Sequence, residues 1–379
     1  MNLDDTPGDA AFRAELRQWL HTTLPTLPPR PSPDDWPARR AYDTAWQRAL
    51  YGAGYASVHW DAPAARRLVY LEETERAGAP YVGANFVGLL HAGPTIAAEG
   101  SPEQRDRWLD PILRGDEVWC QGFSEPGAGS DLAALSTRAV RDGDHYVVTG
   151  SKIWTSHAEV ADWCELLVRT DPAAPRHRGI TWLALPMDAP GVTVRPLRTL
   201  AGSAEFAEVF LDEVRVPLSC RVGAENDGWR VTLVTLSFER GTAFAGEVIA
   251  CRRTLGELAR AAQDNGRWED PSIRRALGRL HAELTALWRL VQANVSAADA
   301  TGAVPASGGS VFKLRYSHAR QELYDTAAEI LGDDALDLGR EWTLERLSSL
   351  AYTIAAGTSQ IQRNIIAERV LGLPKERRD

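Results

Sequence analysis

Four short stretches of the chain gather residue types that can do chemistry. Gln121-Gly-Phe-Ser-Glu-Pro-Gly-Ala-Gly-Ser-Asp131 is a glycine-rich turn whose backbone amides can approach a ligand closely. Ser124 and Ser130 within it offer hydroxyls suited to ring carbonyls or phosphate oxygens. Gly150-Ser-Lys-Ile-Trp-Thr-Ser156 adds Trp154, a broad π surface able to exclude water behind a flat ring. Ala355-Ala-Gly-Thr-Ser-Gln-Ile-Gln-Arg-Asn364 forms a second glycine-containing turn near the end of the chain. Leu236-Ser-Phe-Glu-Arg240 supplies Glu239, a carboxylate that could take a carbon-bound proton once an apolar site raises its pKa.

Two nucleotide-binding readings fail on spacing. Gly127 and Gly129 lack the third glycine of a dinucleotide fingerprint, and Leu132-Ala-Ala-Leu leads on into strands rather than a helix. Gly150-Ser-Lys152 resembles the tail of a phosphate loop, but the upstream glycine is misplaced and Trp154 follows in a strand pattern.

The elements that must position these residues follow from periodicity. Residues 10 to 113 read as helices, with Phe12, Leu16, Trp19 and Leu20 on one face and a proline-rich interruption over 24 to 37. Ser101-Pro-Glu-Gln104 has the composition of a capping box with proline at the first helical position, which turns Trp108 and Leu109 inward. From about 119 to 220 the period changes to two, and Asp142-Gly143 marks a hairpin turn. Helical patterns return over roughly 228–263, 271–300, 311–331 and 338–371. The strands have no crossover helices between them, so the expected fold class is mainly α with a central antiparallel β-barrel or sandwich. We expect a helical domain over 1–118, a β domain over 119–222 and a helical bundle over 223–379.

At 379 residues and 41.5 kDa the chain is long enough for two or three sub-domains that could enclose a large cofactor. A net charge of −9 argues against a nucleic-acid partner. Cys120, Cys164, Cys220 and Cys251 are scattered, with no zinc-like spacing to the histidines, and read as reduced core thiols of a cytoplasmic protein; no metal is expected. The acidic start, Met1-Asn-Leu-Asp-Asp5, has no signal-peptide pattern, and no apolar run is long enough to span a bilayer.

Taken in order, Ser124-Glu-Pro-Gly-Ala-Gly-Ser-Asp-Leu132, Gly150-Ser-Lys-Ile-Trp-Thr-Ser156 and Gly357-Thr-Ser-Gln-Ile-Gln-Arg363 resemble the acyl-CoA dehydrogenase family nearly end to end. The resemblance implies an N-terminal helical domain, a middle β domain and a C-terminal four-helix bundle with FAD between them. It implies that Phe123 and Ser124 face the flavin pyrimidine edge, Trp154 covers the ring, Ser156 contacts the flavin or its phosphates, and Ser130 lies near the acyl-CoA phosphates. Thr358 and Gln360 match FAD-contacting positions, and Glu329 and Gly332 match a segment that grips the adenine half from a neighbouring subunit. Two departures stand out: Glu329-Ile-Leu-Gly-Asp333 replaces a glutamine followed by paired glycines, and Arg253-Thr-Leu-Gly-Glu257 stands where an Arg-x-x-Phe-Gly element is expected.

In many relatives a glutamate base occupies the position of Ala356, which cannot accept a proton. Isovaleryl- and long-chain-type dehydrogenases carry the base on the helix matched by Glu239, with Arg240 following, so the resemblance makes Glu239 the base. The backbone N–H of Ala356 is left to polarise the thioester oxygen. The implied reaction is α,β-dehydrogenation of an acyl thioester, presented as acyl-CoA or on a carrier protein, with an acceptor such as electron-transfer flavoprotein. A homotetramer or homodimer is expected. The alternatives are a heteromeric assembly in which this chain is a non-catalytic partner, and a flavin monooxygenase on the same scaffold. His157 reads as solvent-facing, and Gly54 to Pro63 as a shortened, remodelled pocket edge.

Overall fold

The computed structural model describes residues 5–32, 34–239, 245–301 and 306–375, with the side chains of 237–239, 298–301 and 306–308 outside the description. The N-terminal third is helical: α1 (Pro7–Thr23), α2 (Trp36–Gly52), α3 (Val58–Asp61), α4 (Ala64–Ala77), α5 (Gly93–Glu99) and α6 (Pro102–Arg114). A π-helical turn, Gly88–Ala92, runs directly into α5. α6 begins with the anticipated capping box, Ser101 accepting from the Gln104 N–H and Gln104 answering the Ser101 N–H, and it ends at Gly115 in a left-handed conformation. Its Trp108 and Ile112 are buried, as are Leu16 and Leu20 of α1.

The middle of the chain forms one eight-stranded sheet: β1 (Trp119–Gly122), β2 (Arg138–Asp142), β3 (His145–Ser156), β4 (Trp163–Arg169), β5 (Ile180–Pro186), β6 (Val192–Leu197), β7 (Phe206–Pro217) and β8 (Arg221–Val222). The order is β6-β7-β3-β2-β4-β5-β8, with β1 added on β4. β2 and β3 form the predicted hairpin, with Gly143 at a φ of 62°. The pairing is not antiparallel throughout. β1 runs parallel to β4, and β2 touches β4 in parallel at Arg138–Arg169, because the β2–β3 hairpin and a short loop intervene and bring the chain back in its original direction.

After the sheet come α7 (Gly228–Glu239), α8 (Ala245–Asp264), α9 (Pro271–Thr301), α10 (Ala306–Leu331), α11 (Glu341–Ser349) and α12 (Ser359–Ile365). The single helix expected over 338–371 is broken. Ala356 and Gly357 have φ of 51° and 85°, which no right-handed helix accommodates, and Thr358 caps a new one. Arg253 to Glu257 lie inside α8 rather than after it; the break between α8 and α9 holds Arg267-Trp268-Glu269 instead.

Two large apolar cores tie these parts together. One joins the sheet to Val87, Leu89, Ile96, Trp108 and Ile112 of the N-terminal region. The other joins α1, α2 and α4 to α8, α9 and α10. All four cysteines are free and buried.

Candidate active site

The glycine-rich turn is built on a buried ion pair. Glu125 follows β1 and is 6% exposed; Lys152, in β3, is fully buried, and their charged atoms lie 2.8 Å apart. Glu125 also accepts from the Ser136 N–H (2.7 Å), the Ser136 hydroxyl (2.8 Å) and the Thr137 N–H (2.9 Å). One carboxylate therefore clamps both ends of the 125–137 loop. Burial alone would raise its pKa, but the charge and hydrogen bond of Lys152 with the Thr137 and Ser136 donors outweigh burial and bring it down to about 2. Burial draws the Lys152 amine downward, and Glu125 opposes that.

With its ends fixed, the loop turns Pro126, Gly127, Gly129 and Ser130 outward and packs Ala128 inward. A Cβ at Gly127 or Gly129 would meet no other atom within 4 Å among the described residues, so this stretch of backbone is open to a ligand. Asp131 closes the loop by pairing with Arg176. Ser124 is half-buried, and its carbonyl accepts from the Ile153 N–H at 2.9 Å. Phe123 is 4% exposed, its side chain packed in the core, and its carbonyl accepts from Lys152.

Beside the loop, β3 is irregular between Lys152 and Thr155. Trp154 sits there with a φ of 62° and is 58% exposed, its ring edge-on to Phe206 at 6.0 Å. Ser156 is half-buried opposite Phe206. His157, expected at the solvent, has a φ of 59° and lies against Trp36 and Phe86, with centroids 4.9 and 5.8 Å away. Burial, reinforced by Arg39, pushes its pKa down to about 4, so the ring is neutral at pH 7. The reason is tertiary: α2 and the 82–92 segment pack over the end of β3.

The C-terminal turn is strained in the same way. Among the described residues the non-glycine positions with positive φ are Trp154, His157, Glu213, Asn226 and Ala356; Trp154 and Ala356 fall in the motif segments, and His157 directly follows one. Each costs on the order of 1–3 kcal/mol and persists only where its surroundings over-determine it, the usual situation at ligand sites. Ala356 is exposed; Thr358 is half-buried, its hydroxyl accepting from the Ile361 N–H at 3.2 Å, and Gln360 is exposed on α12.

α7 is held in register against α5. Arg230 pairs with Glu99 at 2.6 Å, and the Thr235 and Thr95 hydroxyls meet at 2.9 Å in the interior. The helices therefore run antiparallel, and the end of α7, at Glu239, comes level with the π-turn that carries His91. The side chain of Glu239 and all of Arg240 lie outside the described residues. Glu329 is exposed near the far end of α10, sixteen residues, or about 24 Å of helix, beyond Lys313, and Gly332, also exposed, directly follows that helix. They are not brought to the other motif residues within this chain.

Some residues here carried no signal as separate sequence features. Gln121 donates to Glu165 (2.7 Å) and contacts His91 Nδ1 (3.1 Å), forming a buried polar cluster behind the β1 motif. Lys152 could have been found, since Tyr146, Val148 and Lys152 share one phase of β3 and that phase faces the core.

Comparison with known proteins agrees with this geometry. The acyl-CoA dehydrogenase N-terminal, middle and C-terminal domain families match residues 6–116, 120–214 and 226–371. The chain is 39% identical over 384 residues to acyl-CoA dehydrogenase IpdE1 of Mycobacterium tuberculosis, covering 96% of this chain and 98% of that protein. Among solved structures it is similar to the Tcur3481-Tcur3483 steroid ACAD, with a TM-score of 0.85, 31% identity, and coverage of 99% of this chain and 100% of that one. It is also similar to the ChsE4-ChsE5 complex of Mycobacterium tuberculosis, with a TM-score of 0.83, 32% identity, and coverage of 99% and 100%. With all three domains matched across nearly its whole length, the chain belongs to the acyl-CoA dehydrogenase family, FAD-dependent enzymes that dehydrogenate acyl thioesters.

Proposed function

We propose that this enzyme binds FAD against the 124–130 loop and Trp154, and that Glu239 removes the α proton of a bound acyl thioester. The observation that carries this reading is the coincidence of backbone strain with the motifs, at Trp154 and Ala356, and at His157 directly after the first of them. The residues suit a flavin: an exposed tryptophan face, the hydroxyls of Ser124, Ser130, Ser156 and Thr358, the amide of Gln360, and a loop with room for close approach. A flavin held by these residues would supply the acceptor for the β hydride.

The protein groups divide the remaining work. The thioester oxygen is to be met by the Ala356 N–H, worth about 3–4 kcal/mol for a well-placed donor. Glu239 takes the proton, with Arg240 beside it. The neutral ring of His157 keeps charge away from that end of β3. Glu329 and Gly332 are assigned to the adenine half of a neighbouring subunit's FAD, which accords with their distance from the rest.

We assign domains over 1–118, 119–222 and 223–379, supported by β8 ending at Val222 and α7 starting at Gly228. The similarity to a steroid ACAD supports a bulky fused-ring acyl group on CoA, with a carrier-protein thioester as the alternative. Leu336, Leu338, Ile354 and Leu371, each about two-thirds or more exposed, support an oligomer. Near full-length similarity to named acyl-CoA dehydrogenases favours a catalytic chain over a silent partner subunit or a monooxygenase. Electron-transfer flavoprotein is the proposed acceptor and the cytoplasm the proposed location; no helix among the described residues is long and apolar enough to cross a membrane.

Anaerobic titration with a panel of acyl thioesters tests the reading. Bleaching of the flavin spectrum is expected, and Glu239→Gln should slow reduction by about 10²- to 10⁴-fold. Reduction at the wild-type rate in that variant would remove Glu239 from the mechanism.

A further inference from the structure

We propose that Lys313 is a positioning residue for the thioester: from α10 it fixes the Ala356–Gly357 turn so that the Ala356 N–H faces the substrate oxygen. This rests on the role assigned above to that N–H.

Lys313 is 4% exposed, and its ammonium donates to the carbonyls of Tyr352 and Gly357, each at 2.7 Å. These two carbonyls lie within the break between α11 and α12, one before and one after residues 353–356. One amine therefore spans the whole turn. Gln362 completes the clamp, donating to the Ala356 carbonyl at 3.1 Å and the Gly357 carbonyl at 3.3 Å.

Among the described residues no side chain hydrogen-bonds the 354–357 stretch from its outer side. Ile354, Ala355 and Ala356 are exposed, and Ile354 is 68% so. Rotating Ala356 out of its left-handed conformation would swing its carbonyl off Gln362 and carry the Gly357 carbonyl away from Lys313. With both carbonyls pinned, the direction of the Ala356 N–H is determined by α10 and α12.

The arrangement is costly as mere filling. No carboxylate lies within ion-pair distance of Lys313 among the described residues, so carbonyl dipoles alone balance its charge. Burial pushes its pKa down to about 8. An aliphatic side chain would fill the same space without desolvating a charge. What such a chain could not do is hold two carbonyls of a strained turn at once.

Ser317, one turn further along α10, provides the control. Its hydroxyl lies 2.7 Å from the backbone carbonyl of Lys313 and 2.8 Å from the Tyr352 carbonyl, and makes no hydrogen bond to Gly357. Ser317→Ala thus loosens the same packing without releasing the turn.

The test reads the polarisation of the carbonyl directly. A 2-enoyl-CoA with a ¹³C carbonyl, its acyl group chosen as the best flavin reductant in the thioester panel, is bound to the holoenzyme and its C=O stretch measured by infrared or Raman difference. The wild-type band should fall below that of free ligand. Lys313→Met should return most of that shift and slow flavin reduction at saturating thioester by roughly tenfold or more, a fraction of what loss of a whole oxyanion donor costs. Lys313→Gln, which keeps a neutral donor, should lie between. Ser317→Ala should lower the melting temperature and leave the band in place. A full wild-type shift in folded Lys313→Met or Lys313→Gln would overturn the proposal for Lys313 alone. A wild-type band at the free-ligand position would instead overturn the role of the Ala356 N–H, and this inference with it.

Discussion

At the scale of single residues, the site depends on buried charges that the chain keeps satisfied. Removing one partner of a buried, hydrogen-bonded pair leaves the other uncompensated, so Lys152→Met should destabilise the protein by about 3–5 kcal/mol in urea unfolding. An unchanged midpoint would show that Glu125 is held by Ser136 and Thr137 alone. The acid dependence has a definite sign. The Glu125 carboxyl lies at about 2 in the fold against an ordinary 4.5, so its contribution, about 3 kcal/mol, is present above pH 4.5 and is lost as pH falls toward 2. Gly357→Ala is a second residue-level test. Its Cβ would come within 2.7 Å of Gln362 Nε2 at a φ of 85°, so the clamp must open, and flavin reduction should slow while the glycine-rich loop keeps its flavin. Loss of flavin binding together with the rate would contradict that separation.

Elements set distances that no single residue controls. The level at which Glu239 leaves α7 depends on the register of α7 against α5, which the Thr95–Thr235 hydroxyl pair and the Arg230–Glu99 ion pair maintain. Thr235→Val leaves the Thr95 hydroxyl without this partner in a fully buried position, a change that should cost about 1–3 kcal/mol. Chemical denaturation reads that loss, and stopped-flow reduction should show a slower chemical step with thioester affinity little altered. Arg230→Ala, at the exposed end of the same pair of helices, should cost less than about 1 kcal/mol, because exposed ion pairs contribute little. Equal effects of the two substitutions would mean that register is not what α7 contributes.

For the molecule as a whole, two histidines make stability depend on acidity well before the carboxylates do. Burial brings both His59 and His157 to about 4 from an ordinary 6.5, so the unfolded chain binds protons that the fold refuses throughout that window. The share of the stability that these two rings carry is present above pH 6.5 and declines as pH is lowered to 4, the lowered His318 acting in the same direction and Glu125 adding a second decline below that. Melting temperatures across pH 4 to 7 measure this, and a flat profile would mean that neither ring is shielded. The exposed leucines at 336, 338 and 371 and Ile354 lead to the expectation of a dimer or larger assembly in sedimentation, with monomers throughout as the contrary result.

Much of this was legible in the order of residues because it depends on local rules. The capping box at Ser101, the Asp142-Gly143 hairpin, the switch from helical to alternating periodicity and the glycine-rich loop each follow from neighbours within a few positions. The family motifs were legible for the same reason. The parallel pairing of β1 with β4, the shelter given to His157 by Trp36 and Phe86, and the grip of Lys313 on the Gly357 carbonyl join positions 44, 121, 71 and 44 apart in the chain. Such contacts are decided by packing, since periodicity shows which face of an element is buried and not what lies against it. The break at Ala356 belongs to both kinds: Gly357 announced a turn, but the alanine in the left-handed region beside it sits in a turn held by a lysine reaching across from α10 and by Gln362 of α12.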